Sequence, residues 1–334
     1  MTLKAIRGMI LPSSDHGRLM SVRPDLKVPV LAAQAIVDGV LVGHTVAAVR
    51  NIHGGEIAAT YEIAFVEDQP PVVLKVYPDA LHWKMQKEVT VISLVQGHLS
   101  VPAPRILLAD DSRRLLDLDF VLMSKLPGST LRSLEPTLAS DQRVAAHRQI
   151  GRLLREFHRI PMEAFGYIGP RGIWTAHATN HDYLSHQCDR KLTEFTDRGG
   201  AAELAGRIAG YFSARAPLLR ECAHPVLCHN DLHAGNVLAE ITDHDVRLSG
   251  VLDFEGALAG DPLMDLAKAL FYLQAADRNA LLDGYGDTGR QQWSPMLAFY
   301  HLYFVLELWC WMAQIGNEQP LHALALDLER HSAL

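Results

Sequence analysis

The spacing of apolar and polar positions divides the chain into a strand-rich first part and a helical second part. A helix is expected from Val28 to Val40. A second helix, from Ala80 to Gln96, ends at Gly97. Around it, short runs rich in β-branched residues and bounded by turn residues predict strands. These strands cover residues 46–49, 61–66, 72–77, 105–109 and 120–123.

Beyond Pro127-Gly128 the apolar positions repeat at helical spacing. Ser140-Asp141 can cap a helix that runs to Pro161, with its apolar stripe at Val144, Ile150, Leu154 and Phe157. Residues 161–200, rich in Gly, His and aromatic residues, are expected to form an irregular insertion. Further helices are predicted at 201–221, 261–276 and 293–315.

These elements predict an α+β fold of two lobes. Residues 1–127, with an N-terminal extension at 1–40, form a small β-rich lobe. Residues 128–334 form a larger, mainly helical lobe, and Ser124 to Gly128 is the hinge. A nucleotide site is expected in the cleft, because ligand pockets often form between two such parts.

Composition places the chain among soluble globular proteins, with 334 residues, 49% of them apolar and 21% charged. The most apolar stretch, Ala298 to Ala313, is too short to span a bilayer and contains His301 and Glu307. The four cysteines show no CxxC spacing, which predicts reduced thiols in a cytoplasmic protein. We therefore expect no membrane partner.

Net charge is uneven along the chain. Residues 1–127 are neutral, so the whole net charge of −7 lies in residues 128–334. A nucleic-acid-binding protein would be expected to show the opposite sign. An acidic second lobe favours a cationic small-molecule partner, although an acidic surface also serves solubility.

The segment Cys228 to Leu238 contains the residues for phosphoryl transfer. Asp231 can accept a proton from a substrate hydroxyl, and the amide oxygen of Asn236 can hold a metal ion beside it. Two strands joined by a turn at residues 243–245 would bring Asp253 back to Asn236 as the second metal ligand. A zinc pair at His229 and His233 would need a helix, which the glycine and the following β-rich run oppose.

A second pair of charged residues predicts a nucleotide-phosphate site. Lys75 lies in an otherwise apolar strand, and Glu88 on the following helix can pair with it to hold α- and β-phosphates. A lone Lys at that place could also be an edge-strand charge. The loop at Gly54-Gly55 could close over phosphates with its backbone N–H groups, but two glycines in a hairpin are also a common turn.

Taken together, these motifs resemble the aminoglycoside phosphotransferase family, small-molecule kinases with the protein-kinase fold. The resemblance covers roughly residues 40–310. Besides the Lys75 strand and the glycine loop, it rests on the segments His229–Asn236, Val251–Glu255, Gly260–Ala267 and Leu122–Gly128.

The resemblance implies a role for each matching residue. Asp231 would be the catalytic base, and Asn236 and Asp253 would hold Mg²⁺. Backbone groups of Ser124 and Leu126 would meet the base of ATP or GTP, with Met123 at the pocket entrance. Of the remaining residues, His229, Asp261 and Asp265 would orient the catalytic loop, the segment His229–Asn236. From the residues alone, Asp261 is also a helix N-cap and Asp265 is expected to be a helix-surface charge.

Two positions depart from the family pattern. Asn230 stands where the family often has Gly, and Phe254-Glu255 follow Asp253 where protein kinases have a glycine. The second departure points away from a protein kinase.

The acceptor is the least determined part of the prediction. Glu255, Asp182 and Glu307 are candidates to meet ammonium groups, and Tyr303 belongs to an aromatic helix face that could hold a cation or simply form core. A cationic antibiotic, an aminoglycoside or aminocyclitol inactivated by phosphorylation, is the first expectation. The alternatives are a metabolite kinase (choline, homoserine or a sugar amine) and a catalytically silent nucleotide-binding protein. Either a monomer or a dimer is consistent with the sequence.

Overall fold

A computed structural model describes residues 27–52, 58–242 and 245–333. Within them, the first lobe is a five-stranded antiparallel sheet in the order β1-β2-β3-β5-β4. Its strands are β1 (Val46–Ile52), β2 (Ala59–Phe65), β3 (Val72–Val76), β4 (Ile106–Asp110) and β5 (Phe120–Ser124). The N-terminal extension lies largely outside the described residues, as does the predicted loop at Gly54-Gly55.

Two helices cover the sheet of the first lobe. Helix α1 (Val30–Asp38) packs against β1, and its Ile36 and Val37 belong to one apolar cluster with Tyr61 and Ile63 of β2. Helix α2 (Trp83–Val95) lies beside β4 and β5. The predicted helix over 80–96 is therefore confirmed, except that its first turn is a separate 3₁₀ turn at Asp79–Leu81.

The second lobe is mainly helical and contains two small sheets. One sheet joins β6 (Ser129–Thr130), β10 (Val237–Ile241) and β11 (Val246–Val251). The other has the order β8 (Gly172–His177), β7 (Phe165–Gly169), β12 (Leu258–Gly260) and β9 (Val226–Cys228). The helices are α3 (Leu131–Leu134), α4 (Ser140–Phe157), α5 (Asn180–Asp197), α6 (Ala202–Arg215), α7 (Pro262–Phe271), α8 (Ala275–Tyr285), α9 (Trp293–Gln314) and α10 (Leu321–His331).

The fold class is α+β with a β-rich first lobe and a helical second lobe, as predicted. We propose the lobe boundary at Pro127-Gly128. Gly128 has a φ of 90° there, and a Cβ would come within 2.6 Å of the carbonyl oxygen of Ala239. Glycine is the residue that fits both conditions.

Three predictions about the second lobe were wrong in detail. Residues 161–200 are not irregular, because they form the β7–β8 hairpin and the 18-residue helix α5. Helices α8 and α10 were not predicted. The cap of α4 is also different, since the side chain of Gln142 accepts from the backbone N–H of Ala139 at 3.0 Å.

Helix α9 forms the centre of the second lobe. Fourteen of its 22 residues are buried, and it packs against α5, α7 and α10. By length and composition it could cross a membrane, but 78% of its apolar window is buried inside the protein. A helix that is apolar all round is typical of the core of a large domain.

Candidate active site

The strand lysine meets three carboxylates between the lobes. Lys75 Nζ lies 2.6 Å from Glu88 Oε2, 2.7 Å from Glu255 Oε1 and 3.6 Å from Asp253 Oδ1. Tyr77, two positions along the chain, donates its hydroxyl to the same Glu88 oxygen. The predicted Lys75–Glu88 pair is therefore present, and the edge-strand reading of Lys75 was wrong because β3 lies inside the sheet.

Burial and charge act in opposite directions on this cluster. Burial by itself would lower the pKa of Lys75, but Glu255, Glu88 and Asp253 outweigh burial and raise it above the ordinary value. Burial raises the pKa of Glu88 although Lys75 opposes it. Lys75 is therefore a fixed cation, the state in which a lysine attracts phosphate oxygens.

A β-hairpin brings the predicted catalytic and metal residues together. Strands β10 and β11 pair Val237 with Val251, and Leu252 donates its backbone N–H to the carbonyl of Asn236 at 2.9 Å. Asp253 therefore follows directly beside Asn236, as the sequence predicted. The turn residues 243–244 lie outside the described residues.

Asn236 holds Asp231 through two hydrogen bonds. The amide nitrogen of Asn236 donates to Asp231 Oδ2 and to its backbone oxygen, both at 2.9 Å. The other carboxylate oxygen of Asp231 lies 3.8 Å from His233 Nε2. This arrangement fixes the Asp231 side chain in one orientation.

The donor set fits a magnesium ion. Since the Asn236 amide nitrogen is committed to Asp231, its oxygen is the atom that can face a cation, and Asp253 adds a carboxylate beside it. Mg²⁺ prefers oxygen ligands of this kind and is usually bound by one or two carboxylates together with substrate phosphates.

The catalytic loop is shaped by Asp265. Its two carboxylate oxygens accept the backbone N–H groups of His229 at 2.7 Å and Asn230 at 2.9 Å. His158 adds a contact at 3.2 Å. Burial alone would raise the pKa of Asp265, but His158, His229 and the Asn230 N–H lower it. The expected helix-surface position of Asp265 was wrong, because the residue is only 1% exposed.

Asp261 and His229 act in different ways. Asp261 caps α7 by accepting the N–H of Leu263 at 2.8 Å, as predicted. Its other oxygen accepts hydrogen bonds from Arg290 at 2.7 Å and from Tyr300 at 2.8 Å. Contrary to the expectation, this carboxylate makes no hydrogen bond to the catalytic loop among the described residues. His229 Nε2 donates to the carbonyl of Leu252 at 3.1 Å, which ties the loop to the Asp253 segment. Burial lowers the pKa of His229, which favours the neutral ring.

The backbone explains why Asn stands at position 230. Asn230 has a φ of 58°, in the left-handed region that glycine adopts freely. Asparagine is one of the few other residues that tolerate this region. Its side chain also donates to the carbonyl of Gly256 at 3.1 Å. The departure from the family's glycine therefore keeps the loop conformation.

The hinge residues lie at the end of β5. Met123 packs into a small apolar cluster with Tyr77 and Met85. The backbone N–H of Ser124 donates to the carbonyl of Arg105 at 2.9 Å. A contact of Ser124 with a nucleotide base would therefore use the carbonyl of Ser124. Leu126 packs against Gly250, where a Cβ would lie 2.7 Å from the leucine Cδ1.

The acceptor candidates do not form one acidic surface. Glu255 is buried and lies 3.3 Å from Lys84 as well as beside Lys75, so it balances lysines rather than awaiting an acceptor. Glu307 is 1% exposed and pairs with Lys268 at 3.3 Å. The Asp182 side chain is 61% exposed at the start of α5, next to His181. Tyr303, the aromatic acceptor candidate, is 1% exposed and lies within the second lobe.

Sequence reasoning missed several residues that lie near this site. The missed residues are Tyr77, Lys84, Lys87, His158 and Lys268, all buried. The spacing of Lys84, Lys87 and Glu88 on one face of α2 was a signal for two of them.

Comparison with known proteins agrees with this geometry. A sequence profile of the family described as the phosphotransferase enzyme family matches residues 48–299. Among solved structures, the chain is similar to a thermostable mutant of aminoglycoside phosphotransferase APH(4)-Ia in a ternary complex with ADP and hygromycin B. The TM-score is 0.68 at 18% identity over 90% of this chain and 97% of that chain.

A GDP and kanamycin complex of a 2″-phosphotransferase gives a TM-score of 0.66 at 15% identity, over 90% of this chain and 98% of that one. The ADP-bound phosphotransferase APH(2″)-Ib gives 0.64 at 16% identity, over 91% and 97% of the two chains. At these identities the likeness shows a shared fold. It confirms the predicted bilobal, protein-kinase-like architecture.

Proposed function

The chain belongs to the phosphotransferase enzyme family, and from that premise we propose that it transfers the γ-phosphate of ATP or GTP to a hydroxyl of a small molecule. The observation that carries this proposal is one cluster of charges between the lobes. It joins the Lys75–Glu88 pair to Asp253 at 3.6 Å, beside Asn236 and Asp231.

The proposed roles follow from these contacts. Asp231 accepts the proton of the acceptor hydroxyl while that oxygen forms its bond to the γ-phosphorus, and the nucleoside diphosphate leaves with the bridging oxygen. Lys75 binds the α- and β-phosphates. Asn236 and Asp253 hold Mg²⁺, which when bound neutralises charge on the phosphates.

Two acceptor classes stay open under this proposal. A cationic antibiotic is supported by the hygromycin B and kanamycin complexes of the similar structures. A metabolite kinase is supported by the ion pairs of Glu255 and Glu307, because carboxylates already balanced by lysine favour an acceptor with a single ammonium group over a polycation. A silent protein is disfavoured, since Lys75, Asp231 and Asp253 are all retained.

We also propose a cytoplasmic location for this enzyme, as a monomer or dimer. The four cysteines Cys188, Cys222, Cys228 and Cys310 are buried and free, which fits a reducing compartment.

The test is the Asp231→Asn variant, assayed with Mg-ATP and Mg-GTP against hygromycin B, kanamycin, choline and homoserine. Asparagine keeps the shape but cannot take the proton, so kcat should fall by about 10²–10⁴-fold. The dissociation constant for ADP should stay within about threefold. The control is Asp283→Asn, whose side chain is 66% exposed on α8. Undiminished transfer by the Asp231 variant would show that another group takes the proton.

A further inference from the structure

Three lysines are buried beside the active site. Lys84 and Lys87 lie on α2, Lys268 lies on α7, and their exposed fractions are 4%, 2% and 6%. Lysines are almost never buried so fully unless they are paired. Lys84 has Glu255 at 3.3 Å, and Lys268 has Glu307 at 3.3 Å.

Lys87 is the exception among these lysines. Within the described part of the chain it makes neither an ion pair nor a hydrogen bond, and its ammonium lies 5.9 Å from the centre of the Tyr167 ring. Burial and the ammonium groups of Lys84 and Lys268 together lower the pKa of Lys87 to about 7, although Glu255 opposes them. Lysines from both lobes therefore influence the pKa of Lys87.

Three more polar atoms of this region lack a hydrogen-bond partner among the described residues. They are the hydroxyls of Tyr167 and Tyr303 and the Oε1 atom of Glu307, all buried. Burial raises the pKa of Tyr167, and Tyr183, Tyr303 and Glu307 add to the effect while Arg190 opposes it. Glu307 also pairs with Lys268 at 3.3 Å. A buried polar atom without a partner destabilises the protein, and a ligand that satisfies it would recover that loss.

The region adjoins the catalytic base. Tyr272, one helical turn after Lys268, has its ring centre 6.2 Å from that of His233 in the catalytic loop. Burial raises the pKa of Tyr272, and the carboxylates of Asp231 and Glu307 contribute. The buried polar cluster, which we define as Lys84, Lys87, Tyr167, Lys268, Tyr303 and Glu307, is thus linked through Tyr272 to the loop that carries Asp231.

The charge balance of the cluster determines which acceptor fits. Lys84 pairs with Glu255 and Lys268 pairs with Glu307, whereas Lys87 has no carboxylate partner among the described residues. A polycation would add positive charge beside an ammonium group that has no counter-ion. A ligand oxyanion would give Lys87 the partner that the protein withholds.

We propose that the acceptor carries an oxyanion, a carboxylate or a phosphate group, which pairs with Lys87 and selects the acceptor. This inference rests on the proposed kinase function and specifies its substrate class. The Tyr303 hydroxyl and Glu307 Oε1 then bind a second polar group of the same molecule, while its hydroxyl faces Asp231.

The first experiment compares acceptors that differ in charge only at one end. Glycerate and glycerol 3-phosphate are assayed against glycerol, and homoserine against homoserinol, with hygromycin B and kanamycin as the cationic arm. We expect kcat/KM for an oxyanion acceptor to exceed that of its counterpart without the oxyanion by about 100-fold, as for a buried charge pair. The glycerate and phosphate arms separate the two sources of the oxyanion.

The second experiment removes the lysine. Lys87→Met should raise KM for the oxyanion acceptor by about 100-fold and abolish the preference over the neutral counterpart, whereas Lys87→Arg should keep a preference. The exposed Lys27→Met variant is the control, with the preference of the wild type. Calorimetry of the full chain saturated with Mg-ADP, titrated with glycerate and with inorganic phosphate, measures anion binding without turnover.

The outcomes separate the two proposals. Transfer to the antibiotics alone, or an oxyanion preference that survives Lys87→Met, would overturn the inference while the kinase function stands. If no acceptor in the panel is phosphorylated, the titration decides, and equal anion binding by wild type and Lys87→Met rejects the inference. A chain that binds no nucleotide and transfers no phosphate refutes the kinase function itself.

Discussion

Asp265 fixes the loop that carries Asp231, the proposed catalytic base, through hydrogen bonds to its backbone. Its carboxylate takes two successive backbone N–H groups, at His229 and Asn230, and those bonds hold Asn230 in the left-handed conformation. Asp231 follows directly along the chain, so its direction depends on these bonds. A backbone N–H that is buried without an acceptor loses its hydrogen bonds to water and gains none in the protein.

Replacing Asp265 with Ala should therefore lower the free energy of unfolding by about 2–4 kcal/mol and reduce kcat more than nucleotide affinity. The surface variant Asp283→Ala should change stability by less than about 0.5 kcal/mol. Urea denaturation and steady-state kinetics measure both effects. Because the pKa of Asp265 is lowered in the folded state, the stability difference should shrink as pH falls below the ordinary aspartate range. A constant difference down to acid pH would contradict this account.

The positions of individual site residues could be predicted where neighbouring secondary-structure elements fix them. Lys75, Glu88 and Asp253 could be predicted because a strand, a helix and a hairpin fix their neighbours. Asp265 and Lys87 could not, because a single position on an amphipathic helix does not reveal which distant segment covers it. The pairing of Glu255 and Glu307 with lysines could not be predicted either, since net charge along the chain does not show which carboxylates are paired.

Helices α4 and α8 show how elements position the loop. Their axes approach closely because both contact points are glycines: a Cβ at Gly151 would clash with the carbonyl oxygen of Leu281, and one at Gly284 with that of Arg148. His158, at the end of α4, then reaches Asp265. Neither helix α8 nor this contact was predicted, because glycine within a helix normally weakens the helical signal.

Gly151→Ala should consequently destabilise the protein by about 2 kcal/mol, since the clash with the α8 backbone outweighs the better helix propensity of alanine. The matched control is Gly206→Ala on α6, where no atom lies within 4 Å of the added Cβ. That change should stabilise the protein by up to about 1 kcal/mol. Thermal and urea unfolding of both variants test the pair. Equal effects of the two substitutions would show that α4 and α8 do not pack through their glycines.

The two lobes meet not only at the hinge but also at the start of α2. Trp83 of α2 lies against Trp174 of β8, with ring centres 5.3 Å apart and planes tilted by 50°. Lys84, the next residue, reaches Glu255 in the second lobe. Since α2 also carries Lys87 and Glu88, these contacts fix the positions of both side chains relative to Asp231.

A double-mutant cycle on Trp83 and Trp174 tests this coupling of the lobes. Each change to Ala should lower the free energy of unfolding, and the interaction between them should be about 0.5–1.5 kcal/mol, as for other aromatic pairs. Each single variant should also weaken Mg-ADP binding, because α2 then holds Glu88 less firmly against Lys75. Trp293→Ala, at a side chain that is 36% exposed, is the control and should leave Mg-ADP affinity unchanged. Additive effects of the two substitutions, or ADP affinity equal to that of the wild type in both, would mean that the hinge alone positions the lobes.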